Sequence, residues 1–285
     1  MPENTRSNII DGSGLSEKIR GKIAKDISEL KEGGVSACLA AVLVGDDPGS
    51  KIYVKMKHKA CEKAGIKSIT RKFPPGITED ELALEIDQLN RDDSIDGILV
   101  QLPLPRHINE RKIMERIDPL KDVDGFNPVN MGNLAIGAEK MVPCTPKGII
   151  RMLEEYNVKL EGAEAVVVNH SSVVGKPLAM LLLNRNATVS VCHVFTKNLA
   201  SYTREADIVI VGAGVPKLIT SGMIREGVVV IDVGINRVED KIVGDVDFDN
   251  VSKKAGLITP VPGGVGPMTI TMLLENTVIC ARNRL

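Results

Sequence analysis

The run Val166-Val167-Val168-Asn169-His170-Ser171-Ser172-Val173-Val174-Gly175, followed by the apolar stretch from Pro177 to Leu183, decides how the second half of this chain folds. The valines after Ala165 read as a buried strand, residues 169–175 as a turn, and residues 177–183 as an apolar helix. Strand, polar turn and helix in that order present backbone N–H groups to a diphosphate. The full G-x-G-x-x-G pattern is absent. Only Gly175 remains as a close-packing glycine, with Asn169 and serines in the earlier positions, so the turn alone is not specific. The sequence beyond it adds weight. Thr188 to Cys192, Ile208 to Val211 with Gly212-Ala213-Gly214, Val228 to Val233 with Gly234, and Leu257 to Thr259 are further strand-like runs, several closing on glycine. They predict a doubly wound parallel sheet with its crevice at the carboxyl ends of the strands.

A site for NAD commonly places an acid near the end of the second strand, to hold the ribose hydroxyls. No acid occurs in Cys192-His193-Val194-Phe195-Thr196-Lys197, which favours NADP and leaves NAD as the alternative. Lys197 and His170 can offer positive charge to a ribose phosphate; otherwise they are a surface base and a packed histidine.

Working back towards the amino terminus, Val142-Pro143-Cys144-Thr145-Pro146-Lys147-Gly148 ends the first half. Thr145 and Pro146 read as the N-cap and first-turn proline of a helix running to about Tyr156. Ahead of it, Ile19, Ile23, Ile27 and Leu30 mark an amphipathic helix over 16–32, and residues 37–44 form an apolar strand closing on a Gly-Asp-Pro loop. A helix after Ser50 stops near Gly65, a strand covers 68–73, and Thr78-Glu79-Asp80-Glu81 is a capping box for a helix to Arg91. The strand beginning at Gly97 is ended by Pro103 and Pro105, since proline lacks the ladder's donor and restricts its predecessor. A helix over 109–117 and a loop over 121–128 follow.

Chemistry-bearing residues fall at the ends of these elements. Tyr53 and Lys57, four apart in the helix after Ser50, project from one face, and a lysine withdrawn from water or set beside another cation can exchange protons near neutrality. The alternative is a solvated face, because Lys51, Lys55 and Lys59 surround them. Gln101 is an amide in an apolar strand, satisfied by neighbouring backbone or else marking a ligand site at the strand's carboxyl end. Asp122 and Asp124 lie in Lys121-Asp122-Val123-Asp124-Gly125-Phe126-Asn127-Pro128, where both can cap backbone or one can act on a ligand. Three prolines and three glycines gather in Thr259-Pro260-Val261-Pro262-Gly263-Gly264-Val265-Gly266-Pro267-Met268-Thr269, a hinge or a substrate-wrapping loop. The last segment, Ile270 to Arg284, reads as a helix able to pack back across another domain.

Composition bounds the function. A chain of 285 residues makes one large or two medium domains, and 43% hydrophobic against 26% charged residues is the balance of a soluble protein. The formal net charge of −1 comes from well-mixed acids and bases, which gives no field for a nucleic-acid partner. No apolar run approaches the ~20 residues needed to span a bilayer, and MPENTRSNII is too polar for a signal peptide, so a cytosolic protein without a membrane partner is expected. Five scattered cysteines, odd in number and without ligand spacing, imply neither a disulfide framework nor a metal site.

Five motifs, taken in order, resemble the bifunctional methylenetetrahydrofolate dehydrogenase/cyclohydrolase family: YVKMK at 53–57, VQLPLP at 100–105, KDVDGFNPVN at 121–130, PCTPKG at 143–148 and TPVPGGVGPMT at 259–269. The resemblance covers nearly the whole chain. It implies an α/β protein of two domains with a cleft between them: a catalytic folate-binding domain over 1–145, completed by a carboxyl-terminal helix over 268–285, and a Rossmann domain over 146–267. It also implies a homodimer in the one-carbon metabolism that feeds purine synthesis. Its substrates would be tetrahydrofolate one-carbon derivatives and its cofactor NADP, with NAD possible.

Carried over residue by residue, the resemblance makes Lys57 the key residue of the hydrolytic step. Tyr53 would contact the folate, Gln101 would orient the lysine, and Asp124 would accept hydrogen bonds from the pterin. Ser50, Cys144, Pro262, Gly263 and Gly264 would line the substrate site, and Asp122 is left as a loop cap. Cofactor contacts fall to Asn169, His170, Ser171, Ser172, Val194, Gly212, Gly214, Gly234 and Ile235. The family usually has Gly-Arg-Ser where this chain has Asn169-His170-Ser171, and serine at Val194. Histidine is a poorer and pH-dependent phosphate ligand than arginine, which puts the choice of nucleotide in question. A monofunctional or NAD-dependent member, or a non-catalytic folate binder, are the alternatives. Short-chain dehydrogenases also use Tyr-x-x-x-Lys, but place it after the nucleotide turn rather than more than a hundred residues before it, as Tyr53 and Lys57 stand to Val166.

Overall fold

The protein is described here by a computed structural model covering residues 8–284. Residues 1–7, which carry most of the stretch read above as too polar for a signal peptide, and Leu285 lie outside the described residues. Contacts divide the described residues into two compact units, one of residues 17–144 with 270–284 and the other of residues 8–16 with 145–269.

The first unit runs α1 (Gly12–Glu32), β1 (Cys38–Val44), α2 (Pro48–Ala64), β2 (Lys67–Phe73), α3 (Glu79–Arg91), β3 (Gly97–Val100), α4 (Glu110–Arg116), α5 (Pro128–Ala135) and the start of α6 (Cys144–Glu155). Its strands form a parallel sheet in the order β2-β1-β3. Every residue of the central strand β1 is buried, as a parallel strand covered on both faces requires. Val42 and Val44 of β1, with Ile98 and Val100 of β3, pack against Leu82, Ile86 and Leu89 of α3 and Ile113 of α4. The predicted capping box is present: Glu81 N–H donates to Thr78 Oγ1 at 3.2 Å and Thr78 N–H to Glu81 Oε2 at 2.9 Å.

Two local expectations change. Helix α5 arises where only the end of a loop is legible, because Asn127 Oδ1 accepts the Val129 N–H at 2.8 Å and Pro128 occupies the first turn, where a missing donor costs nothing. Helix α6 begins at Cys144, so Thr145 lies inside it rather than capping it, and Pro146 sits among the first-turn residues whose N–H groups have no partner within the helix.

The second unit contains β4 (Glu164–Val168), α7 (Gly175–Leu183), β5 (Thr188–Cys192), α8 (Leu199–Thr203), β6 (Ile208–Val211), β7 (Val229–Asp232), β8 (Asn236–Val238), β9 (Lys241–Val243), α9 (Phe248–Val251), β10 (Leu257–Ile258) and the start of α10 (Val265–Arg282). Five strands pair in parallel in the order β10-β7-β6-β4-β5, while β8 and β9 form a separate antiparallel hairpin. Val166, Val168, Val209, Val211 and Val230 of the sheet belong to one buried cluster with Ile219, Val251 and Ile258.

The described residues ahead of Glu17 group with this unit, not with residues 17–144 as the sequence boundary had it. The edge strand β10 supplies the reason: Ile258 N–H donates to Asn8 O and Ile10 N–H to Ile258 O, both at 2.8 Å, which pairs residues 8–10 alongside it. Helix α10 starts at Val265 instead of Ile270, so Gly266 to Thr269 form its first turns rather than a loop. Among the described residues, no helix is long and apolar enough to cross a membrane.

Leu82 is fully buried in the first core, so Leu82→Ala lowers the stability of that unit by about 3 kcal/mol. Thr78→Ala, which removes only the cap, costs about 1 kcal/mol. Urea unfolding of the two variants checks this order.

Candidate active site

Helix α2 is fixed at both ends. Asp47 accepts the Ser50 N–H at 2.7 Å with Pro48 in the first turn, and Gly65 closes the helix in the left-handed region at φ 84°. Within it, Ser50, Tyr53 and Lys57 follow a three-then-four spacing and share a face. Ser50 is buried, whereas Tyr53 is 41% exposed and free to meet a ligand. Lys57 Nζ donates to Gln101 Oε1 at 3.1 Å. Gln101 stands just past the end of β3, its N–H bonded to Val42 O at 2.9 Å and its Nε2 to Leu102 O at 2.7 Å. Backbone satisfies the nitrogen end of this amide, and its oxygen is aimed at the lysine.

The acidic loop runs beside β3, through the Ile98 N–H to Lys121 O bond at 2.7 Å. Asp122 is the loop cap: buried, it accepts Gly125 N–H at 3.0 Å, Asn127 N–H at 2.8 Å and Asn130 Nδ2 at 3.0 Å. Asp124 has no such backbone partners. Its half-buried side chain has a carboxyl desolvated enough to be pushed up to about 6, against the pull of the Lys57 charge and the Cys144 thiol. Cys144 Sγ lies 3.3 Å from Val123 O and 3.8 Å from Asp124 Oδ1. Lys57, Gln101, Asp124 and Cys144 thus belong to one neighbourhood of the first unit.

In the second unit, β4 has β5 on one side and β6 on the other, so the connections leaving the adjacent strands β4 and β6 run to opposite sides. This is the topological switch point of an open α/β sheet, where ligands bind at the strands' carboxyl ends. Asn169 follows β4 there and Gly212 follows β6. The Asn169 side chain is used on the protein itself: Oδ1 accepts Ser171 N–H at 2.8 Å and Gly175 N–H at 3.0 Å, and Nδ2 donates to Gly212 O. Gly175 is obligatory, since a Cβ there would lie 2.1 Å from Asn169 O. His170 and Ser172 are exposed, as are Val194 at 84% and Ile235 at 56%. The His170 ring packs at 5.0 Å from that of His193, which brings the turn and the end of β5 together. Gly214 has φ 70° in the exposed turn after β6, and Gly234 is buried after β7. Pro262, Gly263 and Gly264 lie between β10 and α10 in this unit, with Gly263 O accepting the Ser13 N–H at 3.0 Å.

Family models match both units. Residues 10–124 match the catalytic domain of tetrahydrofolate dehydrogenase/cyclohydrolase and residues 143–285 its NAD(P)-binding domain. The chain belongs to the tetrahydrofolate dehydrogenase/cyclohydrolase family. It is 56% identical to the bifunctional protein FolD of Nautilia profundicola, over 96% of this chain and 97% of that one. The crystal structure of the bifunctional FolD enzyme of Campylobacter jejuni superposes with a TM-score of 0.96 at 56% identity, covering 97% of this chain and 99% of that one. A Trypanosoma brucei FolD, solved with NADP and an inhibitor, is 36% identical with a TM-score of 0.93 and covers 97% of each chain.

Some residues that shape these family sites escape a reading of the sequence. Asn276, deep in α10, donates to Val123 O at 2.8 Å and Val142 O at 3.0 Å, tying the acidic loop to the segment before Cys144. Asp232 and Asp245 are buried acids beside the turns after β6 and β7. The available signal is an acid within an apolar run, in Val-Ile-Asp-Val and Gly-Asp-Val, as with Gln101.

A carboxyl whose folded pKa lies above its unfolded value holds its proton more tightly when folded. Asp124 therefore makes the unit lose stability as pH rises from 3.8 through about 6. Carbon-13 NMR of the Asp124 carboxyl should titrate near pH 6, and Lys57→Met, by removing the opposing cation, should move that midpoint upward.

Proposed function

We propose that the chain is a bifunctional enzyme that oxidises 5,10-methylenetetrahydrofolate with NADP and hydrolyses the resulting 5,10-methenyltetrahydrofolate to 10-formyltetrahydrofolate. The observation that carries the proposal is the Lys57 to Gln101 hydrogen bond beside the Asp124 carboxyl, in a chain of this family. Asp124, ionised at neutral pH, accepts hydrogen bonds from the paired N–H donors of the pterin's amino-pyrimidine. Tyr53, exposed on the face of α2 that bears Lys57, stacks on the folate, and Ser50 and Cys144 line the same surface. Gln101 holds the lysine's amine in place.

The hydrolytic step needs a proton moved. Water adds to the cationic carbon between the two folate nitrogens, and as its oxygen becomes the formyl oxygen the bond from that carbon to one nitrogen breaks; of the two water protons, one ends on that nitrogen and the other leaves to solvent. Lys57 Nζ deprotonates the water or delivers the proton to the departing nitrogen. The dehydrogenase step needs position more than proton transfer.

The second unit suits a dinucleotide: a parallel sheet with a switch point, and a turn so tight that Gly175 has no room for a Cβ. His170, Ser171, Ser172 and Val194 stand at the ribose phosphate, and Gly212, Gly214, Gly234 and Ile235 at the nicotinamide end. Asn169 builds the turn that holds these contacts. When bound, the cofactor supplies the hydride acceptor. A cytoplasmic homodimer supplying one-carbon units for purine synthesis is the setting we propose for it.

Purified protein should reduce NADP with methylenetetrahydrofolate and bleach methenyl absorbance; no turnover with NADP or NAD sinks the dehydrogenase assignment. Lys57→Met should cut the cyclohydrolase rate by about a thousandfold. Survival of that activity removes Lys57 from its role. His170→Arg should tighten NADP more than NAD, because a permanent, fork-shaped guanidinium replaces an imidazole. Equal effects on both would place His170 away from the phosphate.

A further inference from the structure

Two buried carboxylates in the second unit have no part in the chemistry above. Asp245 is fully buried after β9, and its carboxylate accepts three hydrogen bonds. Its Oδ2 takes the N–H groups of Ala213 at 2.5 Å and Gly214 at 2.8 Å, and its Oδ1 takes Asn236 Nδ2 at 2.7 Å. Asp232, at the end of β7, accepts Gly234 N–H at 2.9 Å and Asp245 N–H at 3.0 Å on Oδ1, and Val246 N–H at 2.9 Å on Oδ2. Its own N–H donates to Thr259 Oγ1 at 2.7 Å.

The backbone is cut to admit these groups. A Cβ on Gly244 would lie 1.9 Å from Asp232 Oδ2, and one on Gly234 would lie 2.4 Å from Asp245 Cγ. Neither carboxylate can be seated without glycine at those positions. On its other side the turn is held by Asn169, whose Nδ2 donates to Gly212 O. The turn after β6 is therefore gripped from β4 through an amide and from the hairpin through a carboxylate.

We propose that Asp245 is a positioning residue for the nucleotide site: it locks the 212–214 turn in the shape that receives the dinucleotide, with Asn236 as its matched donor. The role rests on the nucleotide-binding function proposed above. Because the Ala213 and Gly214 N–H groups point inward to Asp245, the turn meets a ligand through its carbonyls and Cα edges, not through its donors. A preset turn removes the cost of ordering it on binding. Loss of the lock therefore appears in cofactor affinity, while the folate chemistry assigned to Lys57, Gln101 and Asp124 does not depend on it.

Asp245→Asn is nearly isosteric but replaces one acceptor with a donor, which then faces either Asn236 Nδ2 or the turn's N–H groups. The expected result is a rise of about tenfold or more in the dissociation constant for NADP, read by titration calorimetry, with a parallel rise in its KM. Cyclohydrolase kcat and the KM for methenyltetrahydrofolate should stay within about twofold. The double variant Asp245→Asn with Asn236→Asp restores the carboxylate–amide pair and the acceptor for the turn's N–H groups, giving up only the long Asn236 Nδ2 bond to Val243 O at 3.4 Å, and should recover most of the NADP affinity.

Unchanged NADP affinity in Asp245→Asn, an equal loss of cyclohydrolase, or no recovery in the double variant would each overturn the role. If Asp245→Asn does not fold, Asn236→Ala withdraws one partner of the carboxylate and should weaken NADP about threefold; no change there refutes the lock. A wild-type protein that binds neither NADP nor NAD overturns the nucleotide function itself, and the lock with it.

Discussion

Parallel strands covered on both faces leave the chain few places to do chemistry, and both units are built on that constraint. A buried strand such as β1 or β4 has its backbone consumed by its neighbours and its side chains consumed by the core. Polar groups can appear only where strands end. Gln101 after β3, Asn169 after β4, Gly212 after β6 and Asp232 at the end of β7 are those places. In each, a side chain or peptide group that would be costly in the core finds a partner one or two residues beyond it.

The two units satisfy this requirement differently. In the first, the end of β3 leaves an amide oxygen directed at an amine, and the carboxyl beside it has little backbone support. Such a carboxyl is poorly solvated and poorly paired, which is how a group comes to ionise close to neutrality. Its neighbour Asp122, two residues away, is fully bonded to backbone and amide and serves only the loop. In the second unit the polar groups face inward. Asn169, Asp232 and Asp245 bond to the turns themselves, leaving the exposed surface to His170, Ser172, Val194 and Ile235. One end-of-sheet geometry leaves a poorly paired carboxyl beside a lysine in one unit and turns bonded to inward-facing polar groups in the other.

The order of elements was legible from the sequence wherever burial and termination are local matters. Ile19 to Leu30 declare a helix by period, Thr78 and Glu81 declare its successor's start, and Pro103 and Pro105 end a strand. The valine run 166–168 and the glycine-closed runs after it determine a parallel sheet, since nothing else buries such stretches on both sides. Motif order pointed to the family, with Lys57 in α2, Gln101 just past β3 and Asp124 in the loop after α4.

What tertiary structure alone decided depends on contacts distant along the chain. Residues 8–10 joined the second unit because edge strand β10 had free backbone groups, a fact no local pattern encodes. Asn276 reached Val123 from 153 positions away, and Asp245 reached Ala213 from 32. Residue type left open which of Asp122 and Asp124 caps the loop, since both are acids in one loop, and the resemblance gave that part to Asp122. The fold buries the Asp122 carboxylate among N–H donors and leaves Asp124 beside a lysine, which is a difference of solvation and not of residue type. Sequence determines which groups must lie at strand ends; three-dimensional packing determines which of them are satisfied by the protein and which are left for a ligand.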